Sequence, residues 1–251
     1  MLGWVLFKDA IATILARLDV ALRISALPYG LAAATTVWLG LAYPDIAVTP
    51  GFDPEAPPPG GFVLLVMLDL CANMLALLWI SVGWHRHVLL GEAPAGWSPP
   101  FRGGRIAGYL GRSLMIGLIA VLVASAVMVG LSVFLIPLVG QGVAGAILAA
   151  GFLAGVVFFY RLGIVLPAFA VDAPLNLNDA LIATKGQATT VAVLAFLSFG
   201  LVYGLQIPLW IEGYQGIVTV LYEVVVGWVV LIAGAGVLTS LYARFGSRSD
   251  A

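Results

Sequence analysis

Two carboxylic acids lie inside long apolar runs of this chain, where an ionised side chain is expensive. Asp69 falls in the run 62–84 and Glu223 in the run 217–243. An acidic residue within a membrane helix costs a few kcal/mol, so it usually marks a functional site or a contact between helices. In a shared pocket, two such carboxyl groups can bind a cation, exchange a proton or hold a lipid headgroup.

Further polar side chains lie at the depth of these acids. Asn73 follows Asp69 by four residues and therefore shares its helix face. The sequence predicts an outer-leaflet polar pocket formed by Asp69, Asn73, Tyr203, Gln206, Tyr222 and Glu223. The alternative is that the carboxyls, neutral or sharing a proton, only hydrogen-bond between helices and stabilise their packing.

A group of arginines suggests a second kind of site. Four of them lie between the second and third apolar runs, and one follows the fourth run. Arginines at a membrane surface can contact the phosphates of anionic lipids. We therefore predict anionic-lipid contacts for Arg86, Arg102, Arg105, Arg112 and Arg161, the alternative being that they only orient the chain.

Other reactive residues are sparse. His85 and His87 point to opposite sides of a helix, which makes them a poor metal site. Cys71 is the single cysteine, so no disulfide forms within the chain. Because no nucleophile is paired with a base and no metal-ligand cluster is visible, we predict that the protein is not an enzyme and holds neither cofactor nor metal.

These residues are set in a very apolar chain of 251 residues, 62% hydrophobic and 9% charged. Soluble domains have roughly 45–50% apolar and about 25% charged residues. The composition excludes a soluble enzyme, a disordered chain and a nucleic-acid-binding protein. Six runs reach the length of about 20 residues that a membrane helix needs: 24–42, 62–84, 113–138, 142–160, 188–211 and 217–243. We predict an all-α polytopic membrane protein with one membrane domain over 1–251.

The basic residues predict how the chain is threaded. All 11 Lys and Arg precede span 1, lie between spans 2 and 3 or spans 4 and 5, or follow span 6. By the positive-inside rule both termini are cytoplasmic. The outer connection 43–61 is rich in proline and glycine, which predicts a loop without regular structure.

Amphipathic segments precede alternate spans. Trp4, Phe7, Ile11, Ile14 and Leu18 recur at helical spacing, which predicts an interfacial helix over about 3–19. Similar segments are expected around 101–112, which carries four glycines, and before span 5, where Asn176 or Asn178 is a suitable cap. We interpret the pattern as a threefold repeat of an interfacial helix and a two-span hairpin.

Two glycine patterns predict close contacts between helices of the chain. Gly151 and Gly155 are spaced for close approach in span 4, and Gly200 and Gly204 have the same spacing in span 5. Pro137, followed by glycines, predicts the break between spans 3 and 4.

Three stretches carry a resemblance: WHRHVLLGEAP at 84–94, YRLGIVLPAFAVD at 160–172 and LNDALIATKG at 177–186. They resemble a group of uncharacterised bacterial six-span membrane proteins and are similar to the membrane-anchoring domain of some glycerophosphoryl diester phosphodiesterases. The resemblance implies the six-span fold and a location in the bacterial inner membrane. It implies no hydrolytic chemistry, because the soluble catalytic domain is absent from this sequence, and it assigns no functional residues.

Together these observations predict a non-catalytic multi-pass inner-membrane protein with a structural, lipid-organising or complex-accessory role. The expected partners are membrane lipids and a membrane protein, with no nucleic acid. The alternative is a transporter or lipid-handling carrier that uses the pocket around Asp69 and Glu223.

Overall fold

In the computed structural model, residues 2–43, 58–94, 96–173, 175–212 and 216–246 are described, and every regular element within them is a helix. Most of the predicted outer loop 43–61 lies outside the described residues. The helices are α1 (Leu2–Ala16), α2 (Leu18–Ala42), α3 (Phe62–Leu90), α4 (Gly103–Val139), α5 (Ala144–Gly163), α6 (Val165–Ala170), α7 (Leu177–Ala183), α8 (Ala188–Glu212) and α9 (Gly216–Phe245), with a short 3-10 helix at Gln141–Val143.

Six segments are long and apolar enough to cross a membrane: Leu18–Ala42, Phe62–Leu90, Gly103–Val139, Gln141–Ala170, Ala188–Ile211 and Ile217–Phe245. Each of them contains one of the six predicted runs. The prediction of an all-helical, six-span class is therefore confirmed. It succeeds because a helix satisfies its own backbone hydrogen bonds in lipid, so a long apolar run has few other options.

The helices group into two compact units, and the single membrane domain over 1–251 stays a prediction. The first unit comprises Met1–Ala12, Gly103–Ser198 and Val237–Ala251, and the second comprises Thr13–Arg102 and Phe199–Gly236. Helices α1, α8 and α9 each contribute residues to both units.

The first unit is built on a tight hairpin of α4 and α5. Pro137 lies in the last turn of α4, and Gly140 takes a positive φ of 83° that favours glycine. A Cβ added at Gly155 would lie 2.9 Å from the Ala120 carbonyl oxygen, so the backbones of the two helices approach each other closely. The close approach predicted for Gly151 and Gly155 is thus confirmed. The same prediction is wrong for Gly200 and Gly204, because an added Cβ would meet no atom within 4 Å at either glycine.

In the second unit, α2 packs against α3, and two hydrogen bonds connect α2 to α9. The Tyr29 hydroxyl donates to the Val224 carbonyl oxygen at 2.5 Å, and the Trp228 indole donates to the Ser25 hydroxyl at 2.7 Å. A mid-span tryptophan and serine therefore satisfy each other inside the unit.

The predicted interfacial helices have three different outcomes. Helix α1 is separate from α2, but it ends at Ala16 rather than near residue 19. A separate helix around 101–112 is wrong, because α4 runs without a break from Gly103 to Val139. Glycine lowers helix propensity by only about 1 kcal/mol per residue, and packing of the buried Ile106 and Tyr109 favours the helix. The third segment forms α7.

The start of α7 confirms one of the two predicted caps. The Asn176 side chain accepts from the Asp179 backbone N–H at 3.0 Å, and the Asp179 carboxylate accepts from the Asn176 backbone N–H at 3.4 Å. This reciprocal arrangement is a capping box. Asn178 lies inside the helix, and the threefold repeat stays a prediction.

Candidate functional site

An open cavity of about 880 Å³ lies in the first unit, where the N-terminal part of α4 meets the end of α6 and the start of α7. We call it the Arg112 cavity. Its wall is amphipathic: it combines apolar side chains with two arginines and two aspartates. The residues that line it include Arg105, Arg112, Met115, Val165, Phe169, Asp172, Leu175, Leu177 and Asp179. Its volume falls within the range of about 300–1,000 Å³ typical of small-molecule sites.

The Phe169 ring forms the aromatic centre of this wall. The Arg112 guanidinium carbon lies 3.6 Å from the centre of that ring, and the Arg105 guanidinium carbon lies 5.1 Å from it. Such cation–π contacts are worth about 0.5–2 kcal/mol. Gly108 makes room for the ring, because an added Cβ would lie only 2.5 Å from the Phe169 Cζ atom. Gly108, one of the glycines that lower the helix propensity of this segment, therefore serves its packing.

Arg105 is held by protein groups. It forms an ion pair with Asp172, and its Nη1 donates to the Phe169 carbonyl oxygen at 3.0 Å. Asp172 has a φ of 62°, and aspartate is one of the few non-glycine residues that tolerate this conformation. The turn after α6 thus presents its carboxylate to the start of α4.

Arg112 is the basic group of the cavity that has no carboxylate partner among the described residues. Its Nη1 donates to the Gly108 carbonyl oxygen of its own helix at 3.2 Å. A guanidinium carries five N–H donors. The remaining donors are therefore available to an anionic group of a bound ligand.

Asp179 adds a negative charge to the lining of the cavity. Its recorded hydrogen bonds are the two of the capping box with Asn176. No lysine or arginine within the described ranges pairs with its carboxylate. The cavity therefore contains one ion pair, Arg105 with Asp172, and two further charges of opposite sign.

Arg86 and Arg102, both predicted to contact lipid, lie in the second unit around one carboxylate. Glu92 accepts from Arg86 Nε at 2.9 Å and Nη2 at 2.5 Å, and Arg102 Nη2 lies 3.1 Å away. The Arg86 hydrogen bonds hold the pKa of Glu92 below its usual value, and the Arg102 charge acts in the same direction. Arg86 is buried, so its guanidinium stabilises the turn after α3 and is not an accessible lipid contact.

Arg161 also binds protein groups. Its Nε donates to the Thr184 hydroxyl at 3.1 Å, and its Nη2 donates to the Leu181 carbonyl oxygen at 3.0 Å. The side chain therefore links α5 to the end of α7. Of the five predicted lipid-contacting arginines, Arg112 and Arg161 have no carboxylate partner among the described residues, and Arg112 uses one nitrogen on the protein where Arg161 uses two.

The structure brings together part of the predicted polar pocket in the second unit. One Asp69 oxygen, Oδ1, accepts from the Thr35 hydroxyl at 2.8 Å, the Thr36 hydroxyl at 2.8 Å and the Asn73 amide at 2.9 Å. The two threonine bonds connect α2 to α3, as the packing interpretation of Asp69 proposed, whereas the Asn73 bond lies within α3. Glu223 is exposed and close enough to Asp69 for their charges to interact.

The other predicted members of the pocket make different contacts. The Tyr222 hydroxyl donates to the Leu205 carbonyl oxygen at 2.8 Å, and the Tyr203 ring packs beside Phe199 and Trp210. Among the described residues, no hydrogen bond joins Tyr203, Gln206 or Tyr222 to either carboxylate. The predicted six-residue pocket is therefore not one hydrogen-bonded site.

No protein-family model, curated protein or solved structure matches the chain. The resemblance to six-span bacterial proteins stays a prediction.

Several residues that build these sites were not predicted as site residues from the sequence. Phe169, Asp172 and Asp179 come from the connection after span 4, far along the chain from Arg112. Thr35 and Thr36 form an adjacent polar pair in span 1. That pair is a usable signal, since polar residues in membrane helices usually bond across to a neighbouring helix.

Proposed function

We propose that the protein is a non-catalytic multi-pass membrane protein that binds the headgroup of a membrane lipid in the Arg112 cavity and thereby organises lipid at one face of the bilayer. The observation that carries this proposal is the Arg112 guanidinium: it lines a large amphipathic cavity, and no carboxylate of the described residues neutralises it. An arginine phosphate contact is a strong, charge-assisted interaction.

The depth of Arg112 supports a lipid rather than a soluble ligand. Arg112 immediately precedes the uncharged run that starts at Ser113, so it lies at the level where lipid phosphates meet hydrocarbon. Met115, three residues further along α4, also lines the cavity, about 4.5 Å deeper at 1.5 Å per residue. A lipid can place its phosphate at Arg112 and its glycerol and acyl carbons against the apolar wall.

The distribution of basic residues supports a bacterial inner-membrane location with both termini in the cytoplasm. In this orientation the Arg112 cavity faces the cytoplasmic leaflet. A membrane-protein partner remains part of the proposal, because a protein that holds lipid at one face is suited to support a neighbouring complex.

Lipid retention tests this function. The wild-type protein, Arg112→Gln and Arg244→Gln are extracted in a mild detergent from the same membranes, and retained lipids are counted by native mass spectrometry. Arg244 is an exposed arginine of the first unit that does not line the cavity, so it is the matched control. We expect Arg112→Gln to lose retained lipid and Arg244→Gln to keep it. Equal retention by all three proteins contradicts the proposal.

A second candidate is a carrier that uses Asp69 and Glu223. It is favoured by the presence of both acids within candidate membrane spans of the second unit. Loss of activity on replacing either acid, at normal abundance, would support this candidate.

A further inference from the structure

We infer that the ligand of the Arg112 cavity is a zwitterionic phospholipid whose headgroup carries a primary ammonium, as in phosphatidylethanolamine. This inference rests on the proposed lipid-binding function and specifies its ligand. It depends on the signs and the partners of the four charged side chains that line the cavity.

The charges of the cavity balance in a particular way. Arg105 and Asp172 form an ion pair with each other. The remaining charges are Arg112, which donates to a backbone carbonyl oxygen, and Asp179, whose carboxylate accepts from a backbone N–H. A ligand with one phosphate and one cationic nitrogen neutralises both. A purely anionic headgroup neutralises Arg112 but leaves the Asp179 carboxylate without a cationic partner.

The type of cation follows from the acceptor. Asp179 is a carboxylate that can accept more hydrogen bonds than the capping box supplies. A primary ammonium has three N–H donors, and charge-assisted bonds to a carboxylate are the strong kind. The trimethylammonium of a choline headgroup has no N–H donor, so it gains only a weaker, undirected attraction.

The order of groups along α4 fits a headgroup that points away from the hydrocarbon. The apolar Met115 lies deepest, Arg112 follows, and Arg105 is seven residues towards the start of the helix, about 10 Å beyond Arg112. Asp172, which pairs with Arg105, belongs to this outer level. From Met115 towards the start of α4, the lining of the cavity therefore changes from apolar to charged. A phospholipid changes in the same order, from its glycerol through its phosphate to the terminal group of its head.

A competition experiment tests the headgroup. The protein is reconstituted in nanodiscs with equal amounts of phosphatidylethanolamine, phosphatidylcholine and phosphatidylglycerol of identical acyl chains, extracted mildly, and analysed by native mass spectrometry. We expect phosphatidylethanolamine to be retained about tenfold over either competitor, the factor that corresponds to about 1.4 kcal/mol. Retention of all three in equal amounts overturns the inference.

Two variants test whether Asp179 and Asp172 determine which lipid headgroup is retained. Asp179→Gln removes the charge but keeps a residue suited to the third position of a capping box, and we expect it to abolish the preference for the ethanolamine headgroup. Asp172→Asn releases Arg105 from its ion pair, and we expect it to increase retention of phosphatidylglycerol. A preference for phosphatidylethanolamine that survives Asp179→Gln contradicts the inference.

The outcomes separate this inference from the function on which it rests. If retention depends on Arg112 but phosphatidylglycerol is preferred, the ammonium inference is wrong and lipid binding stands. If no lipid depends on Arg112, the proposed function fails and the inference fails with it. Should Asp179→Gln not fold, the competition with wild-type protein still decides between these results.

Discussion

Replacing Gly155 with alanine is the most direct test of the packing between α4 and α5. An added Cβ would lie 2.9 Å from the Ala120 carbonyl oxygen and 3.0 Å from the Ala124 Cβ. Neither atom is the end of a flexible side chain that can turn away. The two helices must therefore move apart, and the contact along the hairpin must loosen.

The magnitude follows from two opposing effects. Forcing a methyl group into a packed interface costs about 1–3 kcal/mol, whereas alanine favours a helix over glycine by about 1 kcal/mol. Gly130 in α4 is the matched control, because an added Cβ there meets no atom within 4 Å. Only the favourable effect then operates. We expect Gly155→Ala to be less stable than Gly130→Ala by about 1–3 kcal/mol.

Unfolding by SDS in mixed micelles, followed by helicity and by tryptophan fluorescence, measures this difference. The two variants and the wild type are titrated under the same lipid and detergent conditions. If Gly155→Ala unfolds at the same SDS fraction as Gly130→Ala, the inference that α4 and α5 pack too closely at Gly155 to accept a methyl group is refuted.

Three further predictions concern the second unit and the threading of the chain. Asp69→Ala removes an acceptor shared by the Thr35 and Thr36 hydroxyls and the Asn73 amide. Each of these donors also lies within hydrogen-bond distance of a backbone carbonyl oxygen, so we expect the free energy of unfolding to fall by about 0.5–1.5 kcal/mol. Under the carrier alternative, Asp69→Ala and Glu223→Ala should also fail to complement a deletion at normal abundance. Because Arg86 lowers the folded-state pKa of Glu92, the ion pair stabilises the fold above the unfolded pKa, and this contribution is lost as pH falls through the folded pKa. Glu92→Gln should therefore weaken the dependence of SDS unfolding on acid pH, and an unchanged dependence would contradict the ion pair. A reporter fused near residue 96 should be active on the cytoplasmic side, and an external signal would refute the orientation.

The sequence was sufficient to predict the six apolar segments, because each is indicated by a continuous apolar run. Each apolar run can be read alone, and the length that a bilayer requires fixes its approximate ends. Prediction from local helix propensity was wrong where contacts with another helix determine the structure. The glycines near 101–112 suggested a weak, separate helix, yet Gly108 accommodates the Phe169 ring and the helix continues.

The sites were predictable only where their residues are neighbours in the chain. The spacing of Asp69 and Asn73 indicated a shared face, and the structure shows their hydrogen bond. Hydropathy does not reveal which turn of α2 faces Asp69, so Thr35 was missed. The meeting of Arg112 with Phe169 depends on how α4 and α6 pack, and that register is set by side-chain shape rather than by periodicity.

The tight turn at Gly140 also bears on how the protein is made. From Ser113 to Tyr160 the chain has no charged residue, and the connection between α4 and α5 is only a few residues long. No hydrophilic loop has to be carried through the hydrocarbon when this pair enters the bilayer. We therefore expect the two helices to leave the insertion machinery together, already folded back on each other, so that the first unit begins to assemble before the end of the chain is synthesised.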